Sequence, residues 1–204
     1  MPLSLAVWPE KLQLRTLNNN KKAEDNVMGL LEKLEAIEEI KKMKHRYYRY
    51  VDCKQHRQLA DLFTEDATTR YDNGGHVQNG REEVYSFFVE MMSNQRILSQ
   101  HHGHHPEIEI TSPTTATGVW YMDDTVHILD ANMRVRGNGI YWDEYVKADG
   151  DWKIAHTGYE RVWCVKEVLP ENESRQWQSM FDEDETRKRN ERIKPEGKPD
   201  LCDF

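Results

Sequence analysis

Four histidines fall within five positions of the chain, in the segment SQHHGHHPEIEI (residues 99–110). Histidine is the side chain whose ordinary pKa lies nearest to neutrality, so it suits general acid–base catalysis. Its imidazole is also a common metal ligand. The segment therefore raises two alternatives, a catalytic base or a metal site.

The metal alternative depends on His102, His104 and Glu107, whose side chains are of the kinds that first-row transition metals bind. The segment alternates polar and apolar residues as a strand does, and successive side chains of a strand point to opposite faces. His102 and His104 then share one face while Glu107 lies on the other, so the three ligands do not converge. We expect no bound metal, only a loose affinity for nickel or zinc.

Carboxylates elsewhere in the chain favour the catalytic alternative. YYRYVD ends in Asp52, near the end of a predicted helix, where a carboxylate is placed to reach a histidine on a strand. In VWYMDD, Trp120, Met122 and Asp124 share one strand face. An inward-facing carboxylate needs a partner. A histidine held by a carboxylate in a dry pocket is a typical general base at neutral pH.

The first half of the chain predicts helices that would position these groups. From Val27, apolar residues recur at spacings of three and four as far as about residue 54, which predicts one amphipathic helix. HRQLADLFTEDA predicts a short second helix with Phe63 facing inward. TTRYDNGGHVQNG predicts paired strands, and REEVYSFFVEMMSNQ predicts a third helix.

After these helices, apolar residues recur at every second position. Strands are predicted over residues 99–111, 115–129, 133–147 and 151–165. Asp149-Gly150 is a strong hairpin signal, and HTGYERVW places Tyr159 and Arg161 on one face. Helices followed by an antiparallel meander predict an α+β fold, in which a strongly curved sheet wraps the long helix as a cone with one open mouth.

The composition narrows the class of partner. With 204 residues, the chain is expected to hold a flexible lead-in (1–26), one domain (27–165) and a charged extension (166–204). A net charge of −8 argues against nucleic acid and anionic membranes as partners. No apolar stretch approaches the roughly 20 residues of a membrane span. Three cysteines without a CxxC pattern and no secretory signal predict a cytoplasmic protein.

Together, IKKMKHRYYRYVDCK, HHGHHPEIEI, TATGVWYMDD and YWDEYVKADGDWKIAHTGYERVW resemble the SnoaL-like branch of the nuclear transport factor 2-like superfamily. The resemblance spans about residues 37–163 and is closest to the bile acid 7α-dehydratase type. It implies a cofactor-independent lyase that eliminates water from a 3-oxo-4-ene steroid. Elimination needs no redox cofactor and no metal, and the sequence holds no Gly-rich nucleotide loop.

The resemblance also implies roles for five polar residues. His101, the first histidine of HHGH, matches the catalytic base, which Asp52 or Asp124 would orient. Tyr47 matches a tyrosine that donates a hydrogen bond or proton to the enolate or the departing hydroxyl. Arg161 would hold Asp124 or contact a polar substrate group. Taken alone, Tyr47 also fits a core aromatic residue, and Arg161 a structural ion pair.

The predicted substrate is a hydrophobic, polycyclic hydroxy-ketone. The apolar wall assigned to it consists of Trp120, Met122, Trp142 and Tyr159. Proton abstraction also starts isomerisation, dehydrochlorination or cyclisation of a polyketide or terpenoid, so these remain alternatives, as does a non-catalytic small-molecule-binding module. Trp and Tyr residues on the outer sheet face predict a homo-oligomer, a trimer in preference to a dimer.

Overall fold

The computed structural model describes residues 10–170 and 175–182, with side chains from residue 29 onward. The first nine residues of the predicted lead-in and most of the predicted charged extension therefore lie outside the described residues. None of the described helices is both long enough and apolar enough to span a membrane.

Three α-helices precede most of the sheet. They are α1 (Glu10–Asp52), α2 (His56–Ala60) and α3 (Arg81–Met92). Helix α1 thus begins before the predicted start at Val27 and ends close to the predicted end. Its buried stripe has the helical spacing of three and four, and consists of Ala36, Ile40, Met43, Lys44, Tyr47, Tyr48 and Val51.

Six strands form one sheet with the order β2-β1-β6-β5-β4-β3. They are β1 (Phe63–Tyr71), β2 (His76–Asn79), β3 (Ile97–Ser112), β4 (Thr115–Ile128), β5 (Met133–Ala148) and β6 (Asp151–Val168). Neighbouring strands are antiparallel except β1 and β6, which are parallel. The predicted α+β arrangement, a curved sheet packed with an N-terminal helix, is confirmed.

The predicted second helix extends too far along the chain. Helix α2 ends at Ala60, and Phe63 is the first residue of β1 instead of a helical residue. Burial in β1 has the period of a strand, with Ala67, Thr69 and Tyr71 all facing the interior. The second half of β1 and its antiparallel pairing with β2 agree with the paired strands predicted from TTRYDNGGHVQNG. Residues 63–67, predicted as helix, are the part of the strand that the sequence did not predict; there the partner is β6, from the far end of the domain.

A buried ion pair joins α1 to the sheet. Lys44 Nζ lies 2.7 Å from Asp143 Oδ2, and neither side chain has solvent exposure. The hydroxyls of Tyr145 and Thr157 each donate to Asp143 at 2.6 Å, so both carboxylate oxygens are satisfied. Burial lowers the pKa of Lys44, and the charge of Asp143 offsets part of that shift.

The same ammonium lies against aromatic rings. Lys44 Nζ is 4.5 Å from the ring centroid of Tyr47, 5.4 Å from that of Tyr48 and 4.0 Å from that of Tyr141. A cation over a desolvated aromatic face is stabilised by the ring quadrupole. The ion pair is thus surrounded by the tyrosines that follow it along α1 and by one from the sheet.

We expect the Lys44→Met variant to lose about 3–5 kcal/mol of unfolding free energy, because it leaves the Asp143 carboxylate buried without its cation. The double variant Lys44→Met/Asp143→Leu, which removes both charges, should lose clearly less than the sum of the two single variants. Urea denaturation of all four proteins measures this coupling. Additive losses would show that the two groups do not act as a pair.

Candidate active site

A cavity of about 180 Å³ lies between α1, α3 and the inner face of the sheet. Five of the predicted site residues line it, namely Tyr47, His101, Asp124, Tyr159 and Arg161. Its apolar wall is formed by Val51, Phe87, Phe88, Met91, Met92, Val126 and Val135. The cavity therefore combines a hydrophobic wall with acidic, basic and phenolic groups, the composition of a small-molecule site.

His101 and Asp52 form a hydrogen-bonded pair at one side of this cavity. Asp52 is the last residue of α1 and His101 lies in the edge strand β3. His101 Nδ1 is 2.7 Å from Asp52 Oδ1, and the backbone N–H of His101 donates to Oδ2 at 2.9 Å. The Ser99 hydroxyl donates to Oδ1 at 2.8 Å. The carboxylate thus fixes both the backbone and the ring of His101.

These hydrogen bonds determine which nitrogen of His101 carries a proton. Burial alone raises the pKa of Asp52, but the hydrogen bonds and charge of His101, together with Ser99, lower it overall. An ionised carboxylate only accepts hydrogen bonds, so Nδ1 of His101 is the donor. Nε2 is then the nitrogen left to exchange a proton with a substrate.

Arg161 and Asp124 form a second pair that lines the cavity, and Asp124 is the cross-strand neighbour of His101. The guanidinium donates to both carboxylate oxygens of Asp124, at 2.5 and 2.8 Å. Arg161 is in β6 and Asp124 is in β4, so the side chain crosses the intervening strand β5. It passes over Gly137, where the Cβ atom of a larger residue would lie 3.3 Å from Nη1. The glycine at position 137 is the feature of the sequence that could have indicated that a side chain crosses β5 here, but it was not used in the prediction.

Arg161 keeps its positive charge at this position. Burial lowers the pKa of Arg161, but hydrogen bonding to Asp124 more than offsets this effect. The pKa is raised overall, and the guanidinium stays charged. Asp124 is nearly buried, with 6% exposure, and both its oxygens are engaged by Arg161. Although Asp124 lies opposite His101 in the β3–β4 register, the group that hydrogen-bonds the imidazole is Asp52.

Tyr47 is one of four tyrosines that line the cavity, with Tyr71, Tyr141 and Tyr159. Its hydroxyl donates to the hydroxyl of Tyr71 at 3.0 Å. Burial, and then the neighbouring Tyr71, raises the pKa of Tyr47 well above its ordinary value. The phenol is therefore a neutral hydrogen-bond donor. Tyr71 and Tyr141 were not among the residues predicted for the site, although both lie on alternating, inward positions of their strands.

Three of the four residues predicted to form the substrate wall do not line the cavity. Trp120 and Met122 are buried in the core, where Trp120 Nε1 donates to the Tyr145 hydroxyl at 2.9 Å. Trp142 is 46% exposed, because it alternates with the inward-facing Tyr141 and so points outward. Only Tyr159 of the predicted wall lines the cavity.

The other histidines of the cluster point away from the cavity. His102 and His104 do not line it, and His104 Nε2 lies 3.5 Å from Asp123 on the next strand. His105 has a φ of 48° and lies at a register shift of β3. Among the residues that the structure describes, no three His, Cys, Asp or Glu side chains are placed to hold a metal ion together.

Gly103 allows the helix to approach the strand that carries His101. A Cβ atom at this position would lie 2.3 Å from Cε2 of Tyr48, far inside van der Waals contact. Tyr48 is 5% exposed and has edge-to-face contacts with Tyr47 and Tyr141, so its ring has no free space to enter. The close packing of α1 on β3 is what brings Asp52 within hydrogen-bonding distance of His101.

We expect Gly103→Ala to lower the free energy of unfolding by about 1–3 kcal/mol, as overpacking of a core does. It should also weaken the Asp52–His101 contact. Gly29→Ala is the matched control, because no atom lies within 4 Å of the position its new Cβ would take, and alanine favours the helix. Chemical denaturation measures both variants. Equal stability of Gly103→Ala and the wild type would contradict this packing.

Replacing Asp52 by asparagine should cost about 1–3 kcal/mol of unfolding free energy at pH 7, since hydrogen bonds to a charged group are lost. The folded-state pKa of Asp52 lies below its ordinary value of 3.8. Its contribution is therefore present above about pH 4 and is lost as the pH falls through the folded-state pKa. The stability difference between wild type and Asp52→Asn should shrink over that acid range.

Denaturation curves at several pH values measure this difference. Asp66→Asn is the control, because Asp66 is an exposed aspartate of β1. If the Asp52→Asn difference is independent of pH down to about pH 2, the carboxylate is not stabilised by His101 in the folded state.

Comparisons with known proteins identify the family and the fold of the chain. A family model described as SnoaL-like domain matches residues 32–158. A structure from Novosphingobium aromaticivorans, provisionally assigned as a scytalone dehydratase, superposes with a TM-score of 0.61 and 22% identity, covering 71% of this chain and 98% of that one. A hexachlorocyclohexane dehydrochlorinase from Novosphingobium barchaimii gives a TM-score of 0.61 and 19% identity, covering 68% and 94%. At these identities the similarity shows a shared fold.

Proposed function

The chain belongs to the SnoaL-like domain family, and from this premise we propose that it is a cofactor-independent lyase. The reaction we propose is the dehydration of a hydrophobic hydroxy-ketone, of the bile acid 7α-dehydratase type. The observation that carries the proposal is the His101–Asp52 pair at the wall of an apolar cavity. Tyr47 and the Arg161–Asp124 pair line the same cavity and supply the remaining polar groups.

In the proposed mechanism, His101 Nε2 removes a proton from a carbon activated by the conjugated carbonyl. The electrons of that C–H bond move toward the carbonyl as an enolate, and Asp52 stabilises the imidazolium that forms. As the enolate collapses, the C–O bond of the hydroxyl breaks. The hydroxyl receives a proton from the imidazolium and leaves as water, so that a carbon–carbon double bond remains and His101 is regenerated.

Tyr47 and Arg161 are proposed to act on the oxygens of the substrate. Tyr47 is a neutral phenol whose single O–H is donated to Tyr71 in the structure. In the proposed reaction it releases that hydrogen bond and donates to the enolate oxygen or to the departing hydroxyl. Arg161 is held by Asp124, and its charge makes that wall of the cavity favourable for a developing negative charge. None of these steps is an oxidation or a reduction, so the proposal invokes no cofactor or metal.

The size of the cavity limits how a substrate can bind. A cavity of about 150 Å³ holds a benzene molecule, so the 180 Å³ here encloses about one ring with its substituents. A polycyclic substrate would place only its reacting ring between His101 and Tyr47. The remaining rings would extend through the open mouth of the sheet. We therefore propose that specificity for the reacting ring is strict and that the rest of the molecule is held less tightly.

We also propose that the protein is a homo-oligomer, a trimer in preference to a dimer. The support is a set of large apolar residues exposed on the outer face of the sheet, namely Tyr121, Trp142, Val162, Trp163 and Val165. Contiguous exposed apolar surface of this kind marks interfaces. Light scattering at micromolar concentration tests the proposal, and a monomer mass would refute it.

The proposed reaction can be followed by ultraviolet absorbance, because elimination extends a conjugated enone and shifts its absorbance to longer wavelength. The purified protein is mixed with hydroxylated 3-oxo-4-ene steroids and with smaller mono- and bicyclic hydroxy-ketones, in the presence of a chelator. We expect turnover by the wild type. We expect a rate lower by about 100-fold or more for His101→Asn, which removes the base.

His105→Asn is the matched control, because His105 is an exposed histidine of the same strand and asparagine tolerates its positive φ. It should retain the wild-type rate. Equal loss in both variants would indicate a structural effect, and turnover that survives in His101→Asn would overturn the assignment of the base. Product with the mass of the substrate would indicate an isomerase, and binding without turnover would indicate a small-molecule-binding module.

A further inference from the structure

A second recess lies on the outer side of His101, between the last turns of α1 and the edge strand β3. Its volume is about 470 Å³, and we call it the outer groove. Its lining residues are His45, Tyr48, Arg49 and Asp52 from the helix and His101, His102, Gly103 and His104 from the strand. His101 lines both spaces, so its ring stands between the outer groove and the catalytic cavity.

Two polar side chains of the outer groove have unused donors. The Tyr48 hydroxyl is buried and has no hydrogen-bond partner among the described residues, and Tyr48 itself is only 5% exposed. Nε and Nη2 of Arg49 are also buried and lack partners within the described part of the chain. Because unsatisfied buried donors are rare in folded proteins, these atoms call for an acceptor that this part of the chain does not supply.

The chemistry of these donors defines the missing acceptor. A guanidinium is always charged, offers only donors and matches an oxyanion with its planar fork. The imidazoles of His45, His102 and His104 line the same groove. The one carboxylate that lines the groove is Asp52, and it already accepts hydrogen bonds from Ser99 and from two atoms of His101. A second carboxylate, that of Asp123, does not line the groove, and its Oδ2 lies 3.5 Å from Nε2 of His104.

We propose that the outer groove binds an oxyanion, held by Arg49 and by the Tyr48 hydroxyl. The ligand is either a free inorganic oxyanion or the phosphate, sulfate or carboxylate group of a small molecule. The site is distinct from the catalytic cavity, since Arg49 and Tyr48 do not line that cavity. An anion there lies behind the Asp52–His101 pair, on the side away from the substrate.

The test is a calorimetric titration of the full-length chain with inorganic phosphate, sulfate and phenyl phosphate, at constant ionic strength set with chloride. We expect saturable binding of one anion per chain. Arg49→Met should weaken it at least tenfold, and Tyr48→Phe should weaken it severalfold. Arg57→Met is the matched control, because Arg57 is an exposed arginine paired with Glu82 on the surface, and its removal should leave the affinity unchanged.

Thermal unfolding gives a second readout that does not depend on enzymatic activity. Phosphate should raise the Tm of the wild type and of Arg57→Met, because a ligand that binds only the folded state stabilises it. At the same phosphate concentration it should raise the Tm of Arg49→Met clearly less. Without phosphate, Tyr48→Phe should unfold at the wild-type Tm or above it, because its hydroxyl has no partner to lose.

The outcomes separate the alternatives. Tighter binding of phenyl phosphate than of inorganic phosphate supports the site and identifies an organic anion as its ligand, whereas equal affinities support the site with a free oxyanion. Binding that is absent, does not saturate or is equal in Arg49→Met and Arg57→Met overturns the proposal. A clear loss of Tm in phosphate-free Tyr48→Phe also overturns it, because the hydroxyl would then have a partner within the protein.

Discussion

The buried ion pair between Lys44 and Asp143 constrains the position of α1 on the sheet. Both charges are fully buried, so any other rotation or translation of the helix would leave at least one of them without a partner. The aromatic rings around the ammonium fill the remaining space. We infer that this pair selects one register of α1, and every functional group on the helix takes its direction from that register.

Two residues of α1, Tyr47 and Asp52, have different roles because they face different directions. Tyr47 and Asp52 are five positions apart, which corresponds to a rise of about 7.5 Å and a rotation of about 140°. Tyr47 consequently faces the cavity, while Asp52 reaches the edge strand and holds His101 from behind. This arrangement explains why Asp52 lines the outer groove and does not line the cavity that Tyr47 faces.

Periodicity predicted the elements whose partners are local in sequence. The hairpin at Asp149-Gly150, the meander of β3 to β6 and helix α3 all form where the pattern places them. It did not predict the first half of β1, residues 63–67, as a strand. It also did not predict the burial of Lys44, because a lysine is usually a surface residue. The alternation of residues along a strand predicts which face of the sheet a side chain is on, but not how far along the sheet it lies. Trp120 therefore faces inward as predicted, but it is buried in the core outside the cavity.

The two hydrogen-bonded pairs at the cavity, His101–Asp52 and Arg161–Asp124, differ in a way that matters for proton transfer. Each of the two carboxylates has its own hydrogen-bond partner, His101 for Asp52 and Arg161 for Asp124. Arg161 occupies both oxygens of Asp124, so Asp124 does not compete with Asp52 for the imidazole. Arginine keeps its charge at all ordinary pH values, so it provides a constant positive charge at the cavity. Histidine can gain and lose a proton near neutral pH, so it can take part in proton transfer. The division leaves His101 as the group whose protonation can change during a reaction, with Asp52 alone orienting its ring.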